Sequence, residues 1–186
     1  MSAQPELFNI PVAEYLKLEL DSNIRHEYIA GQVYAMTGGS REHDQIIVNI
    51  LTRLRTDLRG SGCRVFSSNM KVRIEVLDLF YYPDISVTCD PQDREKYFNR
   101  RPCLIVEVLS PSTTRIDRNE KLHNYRQLES LREYVLVSQT EMKVEIYRKD
   151  QSGNWNLQTL NAGDMMELES VGVAMAIAEI YEDVEF

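Results

Sequence analysis

Residues 104–109 read Leu-Ile-Val-Glu-Val-Leu, an aliphatic run of strand type with one carboxylate, Glu107, in its middle. An ionised carboxylate inside an apolar sheet is strongly unfavourable unless something compensates it. A second carboxylate, Asp84, lies in Tyr-Tyr-Pro-Asp-Ile-Ser-Val. There Ile85, Val87 and Cys89 share one parity and Asp84, Ser86 and Thr88 the other. If the two strands are neighbours, Asp84 and Glu107 approach each other, and one pKa rises unless a cation lies between them. Mg²⁺ meets that need, because it is hard, takes oxygen ligands and is commonly held by one or two carboxylates plus water and phosphate; Mn²⁺ is the alternative. Further along, Asp117, Lys121 and Tyr125 recur at i, i+4 and i+8 and so form one stripe of a helix. An ammonium beside a metal-bound water orients it or helps activate it as a nucleophile, and it stabilises charge developing on a phosphate. Metal, carboxylates and lysine are the minimal kit for metal-assisted phosphodiester hydrolysis. Ordinary roles compete with this one. Asp84 after Pro83 also suits a strand entry, and Lys121 after Asp117 also suits an exposed ion pair. Glu107 is the hardest to explain that way.

The elements that must position these residues are set by the pattern. Residues 11–20 follow a proline and suit a short helix. Residues 28–30 and 32–36 suit a hairpin about Ala30-Gly31. Ile46, Ile47, Ile50, Leu51, Leu54 and Leu58 predict an amphipathic helix of about four turns, closed by Gly60. Three strands are expected next, in CRVFSS, MKVRIEV and YYPDISVTC, with Pro83 at an edge or at strand entry. A polar connection over 90–101 leads to the Glu107 strand. Asp117 is placed to cap the following helix, with Glu120 three residues on, and that helix is expected to run to about Ser130. REYVLVS, KVEIYRK and WNLQTL read as strands and VAMAIAEIYEDV as a C-terminal helix. The strand–helix–strand unit from Leu104 to Ser138 predicts a parallel pair. The fold class expected is mixed α/β, a central mixed β-sheet flanked by helices, in one domain over 1–186 with no internal repeat.

Composition narrows the class. Apolar residues are 43% and charged residues 27% of the 186-residue chain, the mix of a soluble globular protein. No apolar run of about 18 residues predicts a membrane span, and the N-terminus lacks a basic segment followed by an apolar one, so a cytoplasmic location is expected. Three cysteines, Cys63, Cys89 and Cys103, contain no C-x-x-C pair, and neither a disulfide framework nor a zinc site is expected. The net charge of −8 counts against a tight non-specific nucleic-acid binder. Nine basic residues between Arg94 and Arg132 nonetheless leave room for a local basic face.

HEYIAGQVYAMTGGS, HDQIIVNIL, YYPDISVTC and PCLIVEVLSPSTTRIDRNEKLHNYRQLESLREYVLV, in that order, resemble the bacterial Uma-two family of restriction-endonuclease type. VEVLSPST with the following Asp-x-x-x-Lys-x-x-x-Tyr is the most specific part of the resemblance. The family is placed in the PD-(D/E)XK nuclease-like superfamily. The resemblance implies a restriction-endonuclease-like core with Asp84 and Glu107 as its two acidic motif positions. The motif lysine should come two residues after the glutamate, where Leu109 stands, and Lys121 is the family's matching lysine on the next helix. Glu27 matches a further family position that adds a carboxylate near the metal, with a hairpin surface role as the alternative. His43 begins the long helix, where a helix-start polar role competes with a cleft-facing one.

The leading expectation is a Mg²⁺- or Mn²⁺-dependent DNA endonuclease. In it Asp84, Glu107 and the backbone carbonyl of Val108 hold the metal, Lys121 positions or activates water, and Glu27 assists. A homodimer is expected, because a two-fold protein matches duplex symmetry. The rival is a non-catalytic module that keeps the nuclease fold to bind nucleic acid or protein. Leu109 and the acidic net charge favour the rival, and the Asp84, Glu107 and Lys121 set favours the enzyme.

Overall fold

Two mixed sheets, flanked by helices, share the apolar cluster that lies on the Glu107 face of the central strand. The computed structural model describes Leu7 and residues 9–111 and 113–186; Met1–Glu6, Phe8 and Ser112 lie outside the described residues. The chain runs α1 (Val12–Asp21), β1 (His26–Ile29), β2 (Gln32–Ala35), α2 (Arg41–Asp57), β3 (Arg64–Ser67) and β4 (Lys71–Ile74). A 3₁₀ turn at Glu75–Leu77 leads to β5 (Leu79–Tyr81), β6 (Ile85–Thr88), β7 (Phe98–Asn99) and β8 (Leu104–Leu109). One helical stretch then joins α3 (Thr114–Ile116), a π-helical segment (Asp117–Lys121) and α4 (Leu122–Tyr125). β9 (Glu133–Ser138), β10 (Lys143–Lys149), β11 (Trp155–Asn161), β12 (Met165–Leu168), β13 (Val173–Ala176) and α5 (Ile177–Ile180) complete it.

The five-stranded sheet has the order β2-β1-β5-β4-β7 and the six-stranded sheet β11-β10-β9-β8-β6-β3. β8 and β9 are parallel, as the intervening helix requires, and β6 and β8 are antiparallel. The segment YYPDISVTC is not one strand. Tyr81 ends β5 in one sheet, Ile85 begins β6 in the other, and Tyr82-Pro83-Asp84 carries the chain between them. Proline has no N–H to give a ladder, so a break there is physically natural.

β8 is buried on both faces. Leu104, Val106 and Val108 pack with Ile46, Ile47, Ile50 and Leu54 of α2. Ile105 and Leu109 join Leu122, Tyr125, Leu128 and Leu131, together with Val72, Ile74, Leu79 and Tyr81 of the other sheet. By strand alternation Glu107 falls on this second face. The expected hairpin forms, with Ile29 opposite Gln32 and positive φ at Ala30 (45°) and Gly31 (90°), the geometry of a tight two-residue turn. Tyr15 of α1 closes the outer side of the hairpin sheet against Tyr28 and Phe80, and its hydroxyl donates to the His26 carbonyl at 2.7 Å.

Four local expectations are corrected. Asp117 does not cap a helix; it lies buried within one that begins at Thr114. That helical stretch stops at Tyr125 rather than near Ser130, and the turn after it buries Leu128 and Leu131. VAMA is strand β13, because its alternation pairs it with β12, and only Ile177–Ile180 is helical. Cys63 and Cys89 form a disulfide, with the Cys103 sulfur 3.7 Å from that of Cys89. The register of β3 against β6 sets the bonded pair opposite each other just past Arg64 and Thr88, which sequence spacing could not reveal.

The α2–sheet contact gives a first test. Ile50 is fully buried there, so Ile50→Ala should lower the unfolding free energy by about 2–5 kcal/mol. Urea unfolding reads this as a lower midpoint at constant slope; a loss below about 1 kcal/mol would mean that α2 does not anchor the sheet.

Candidate active site

The antiparallel register of β6 and β8 pairs Ile85 with Val106. Continued one step past the ladder, it sets Asp84 opposite Glu107. Their groups interlock. The Asp84 amide donates to Glu107 Oε2 (3.2 Å), and the Val108 amide donates to Asp84 Oδ2 (2.7 Å). Asp84 therefore sits where the chain leaves one sheet for the other, fixed by the strand that carries Glu107.

Lys121 reaches the same place from the helical stretch. Its Nζ lies 3.2 Å from Glu107 Oε1, 3.2 Å from Glu27 Oε1 and 3.4 Å from Asp117 Oδ1. The Tyr125 hydroxyl donates to Glu107 Oε1 at 3.1 Å, and its ring packs between Tyr81 and Tyr134. Asp117 and Lys121 are the first and last residues of the π-helical segment, and both are buried. Such a segment adds a residue to the turn, and π-bulges are frequent at functional sites. Leu109, where the superfamily motif has lysine, is packed into the apolar cluster. It shares a strand face with Glu107, and the ammonium arrives on that face from the helix instead.

Glu27 comes from the hairpin sheet and accepts a hydrogen bond from the Tyr82 amide at 3.4 Å as well as pairing with Lys121. It is thus not a surface residue of the hairpin. His43 faces the cleft: Ser40 caps α2 by accepting from the His43 amide (3.2 Å), and the His43 ring Nε2 lies 3.3 Å from Asp84 Oδ2. Gly39 permits this approach, since a Cβ there would meet His43 Nδ1 at 2.7 Å.

The charges here are strongly coupled. Burial drives the Glu107 carboxyl up, Asp84, Asp117 and Glu27 push it the same way, and only Lys121 opposes them; it ends well above the ordinary 4.5. Burial alone would discharge Lys121, but Glu107, Glu27 and Asp117 outweigh it and hold the amine well above 10.5. Lys121 is therefore an ammonium at any physiological pH and cannot itself take a proton. Burial also works against a charge on His43, yet the hydrogen bond and charge of Asp84, with the Val108 backbone, raise its pKa.

A cavity of about 260 Å³ opens onto this set, lined by Asp84, Glu107, Val108, Asp117, Lys121 and His43 among others. A second, of about 400 Å³, shares His43, Asp84 and the Gly38–Ser40 loop and adds Arg25 and Arg41. Among the described residues no group of three or more His, Cys, Asp or Glu side chains has metal-holding geometry. The donor set for a cation is smaller: the carboxylates of Asp84 and Glu107 with the backbone oxygen of Val108. Two carboxylates and a carbonyl suit Mg²⁺, which keeps several waters. Four carboxylates (Glu27, Asp84, Glu107, Asp117) face two groups of opposite sign, Lys121 and His43, so the set carries more acidic than basic groups.

The structure brings together Asp84, Glu107, Lys121, Glu27 and Val108, all the residues selected from the sequence. It adds Asp117 and Tyr125 as direct partners and places His43 on Asp84. The i, i+4, i+8 stripe already grouped Asp117 and Tyr125 with Lys121. For His43 the sequence offered a helix-start role and a cleft-facing one; its ring takes the cleft-facing position, because the Gly38–Ser40 loop brings the start of α2 to the sheet.

The chain has recognisable relatives. The family model described as "Uma2: Putative restriction endonuclease" matches residues 12–178. The chain is 41% identical over 174 residues to the uncharacterized protein slr1290 of Synechocystis sp., covering 93% of this chain and 92% of that one. It is 31% identical over 163 residues to sll1609 of the same organism, covering 86% and 92%. A crystal structure titled as "a putative nuclease belonging to DUF820" from Anabaena variabilis superposes with a TM-score of 0.75 at 19% identity, covering 93% of this chain and 98% of that one. That superposition establishes the shared fold.

The site is open to two tests. Lys121→Met leaves the buried carboxylates of Glu107 and Asp117 and the half-buried one of Glu27 without their common cation and should cost about 3–5 kcal/mol at neutral pH. The native state holds the Glu107 proton more tightly than the unfolded chain. The cost should therefore shrink as pH falls towards the ordinary carboxylate value of 4.5 and grow as pH rises through the raised native value. Denaturant melts in EDTA across that range check it, and a cost independent of pH would contradict the arrangement. Gly39→Ala should displace the His43 ring while leaving the melting temperature within a few degrees. An unchanged histidine resonance by NMR would count against the close approach.

Proposed function

We propose that the chain, which belongs to the Uma2 family, is a divalent-metal-dependent nuclease that hydrolyses phosphodiester bonds of DNA. The observation that carries this reading is the convergence of Asp84, Glu107 and the Lys121 ammonium at the wall of an open cavity. Support also comes from the family's description as a "putative restriction endonuclease" and from the structural neighbour, described as "a putative nuclease".

Asp84, Glu107 and the Val108 carbonyl would hold Mg²⁺ or Mn²⁺, which supplies Lewis acidity towards the phosphoryl group and neutralises charge. The chain's own residues supply the rest. Lys121, locked as an ammonium with two of its three N–H groups turned to Glu107 and Glu27, would donate the third to the attacking water, and its charge would stabilise negative charge as it develops on the phosphate. Glu27 fixes the Lys121 amine from the hairpin side, and Tyr125 steadies Glu107 from the helix side. Arg25 and Arg41 in the adjoining cavity are placed to meet the polynucleotide backbone where the acidic net charge of −8 would otherwise repel it. A pair of copies would present two such sites to the two strands of a duplex.

Supercoiled plasmid and single-stranded DNA, incubated with Mg²⁺ or Mn²⁺, should be cleaved by the wild type and spared in EDTA. Glu107→Gln and Lys121→Ala should each lower the rate by about 100-fold or more. Equal cleavage by all three proteins would place the activity elsewhere. DNA retention without cleavage by the wild type would favour the binding-module reading instead. Sedimentation of the wild type alone and with duplex DNA reports the copy number.

A further inference from the structure

One buried carboxylate oxygen of the site makes no hydrogen bond. Among the described residues five buried side-chain polar atoms lack such a partner, on Arg73, Ser86, Asn99, Asp117 and Arg126. Of these residues only Asp117 lines the cavity of the active site. Asp117 is 2% exposed, and its Oδ1 lies 3.4 Å from Lys121 Nζ, an ion pair without hydrogen-bond geometry. A desolvated carboxylate oxygen with no donor is costly, and such an atom in a native site calls for a ligand or a catalytic duty.

The other carboxylates of the site each commit at least one oxygen to a donor. Glu107 Oε1 accepts from Lys121 and Tyr125, and its Oε2 accepts from the Asp84 amide. Asp84 Oδ2 accepts from Val108 and meets His43. Glu27 Oε1 accepts from the Tyr82 amide and pairs with Lys121. Lys121 carries its full complement of protons.

We infer that Asp117 is the general base of the reaction, taking a proton from the water that Lys121 orients. This rests on the nuclease reading above. The Lys121 ammonium donates to one lone pair of the water, and Asp117 Oδ1 accepts one of its hydrogens. The remaining lone pair points at phosphorus. As the new P–O bond forms, the water proton passes to Asp117. The bond from phosphorus to the leaving nucleoside oxygen breaks, its electron pair stays on that oxygen, and solvent at the cavity mouth protonates it. Asp117 then returns its proton to solvent. The π-helical segment gives this base and its orienting cation from its two ends.

The test uses the full-length protein with Mn²⁺ and plasmid DNA. Asp117→Ala should lower cleavage by about 10²–10⁴-fold, and added formate, a small carboxylate able to enter the space left, should restore a measurable part of it. Formate should restore nothing to Lys121→Ala or Glu107→Gln. In Asp117→Asn, close to the same size, calorimetric Mn²⁺ binding and DNA affinity should stay within about three-fold of wild type, while the cleavage rate falls as it does in Asp117→Ala. The inference is overturned if Asp117→Ala cleaves within three-fold of wild type, if formate fails to rescue a folded variant, or if Asp117→Asn keeps the wild-type rate. If neither variant folds, Asp117 is structural and the inference also falls. A wild type that cleaves nothing overturns the nuclease reading itself; a cleaving wild type with an indifferent Asp117 overturns only this assignment.

Discussion

Everything in this molecule is arranged around the charge on Glu107. A carboxylate at the centre of a doubly buried strand cannot be solvated by water, so the protein must supply the compensation. It does so with a lysine from the next helix, a tyrosine one turn beyond it and a backbone amide from the crossing between the sheets. Compensation by one ammonium then attracts further carboxylates, Glu27 and Asp117, and the balance tips back towards excess negative charge. Crowding of acidic groups around one ammonium costs stability, and a further positive charge brought to the cluster would relieve it.

The two sheets serve this imbalance. If Asp84 continued a single strand from Tyr81, its backbone amide would be committed to a ladder. Instead the chain breaks at Tyr82-Pro83-Asp84, so the Asp84 amide is free to bind Glu107 and the Tyr82 amide to bind Glu27. A crossing between sheets thereby gives amide donors to two of the four carboxylates. The surrounding aliphatic and tyrosine side chains keep the dielectric low, which strengthens each of these contacts.

Much of this was legible in the sequence, for identifiable reasons. Glu107 stood out because an isolated charge in an aliphatic run is rare without cause. Lys121 could be paired with it because helical spacing is regular, and the predicted strand–helix–strand unit fixed how the two elements meet. The features that the sequence hid depend on tertiary geometry. His43 acquires its role only because glycine at 39 lets a loop close on its ring. Asp117 looked like a cap because acidic residues favour helix starts, while the true start is fixed by Ser110, whose carbonyl accepts from the Thr114 amide. The Cys63–Cys89 bond depends on strand register, and the division of YYPDISVTC depends on which sheet each half joins.

The π-helical segment sets a limit on how this family of sequences can vary. Deleting one residue from Asp117–Lys121 would return the turn to ordinary α-helical winding and rotate the helical residues N-terminal to it by about 100° relative to those on its C-terminal side. Lys121, Tyr125 and the apolar residues beyond them could remain seated while Asp117 swung off the cavity. Length in this short stretch therefore acts as a phase setting. Substitutions on the outer face of the helix leave the site in step, whereas a single insertion or deletion detunes it without disturbing the core.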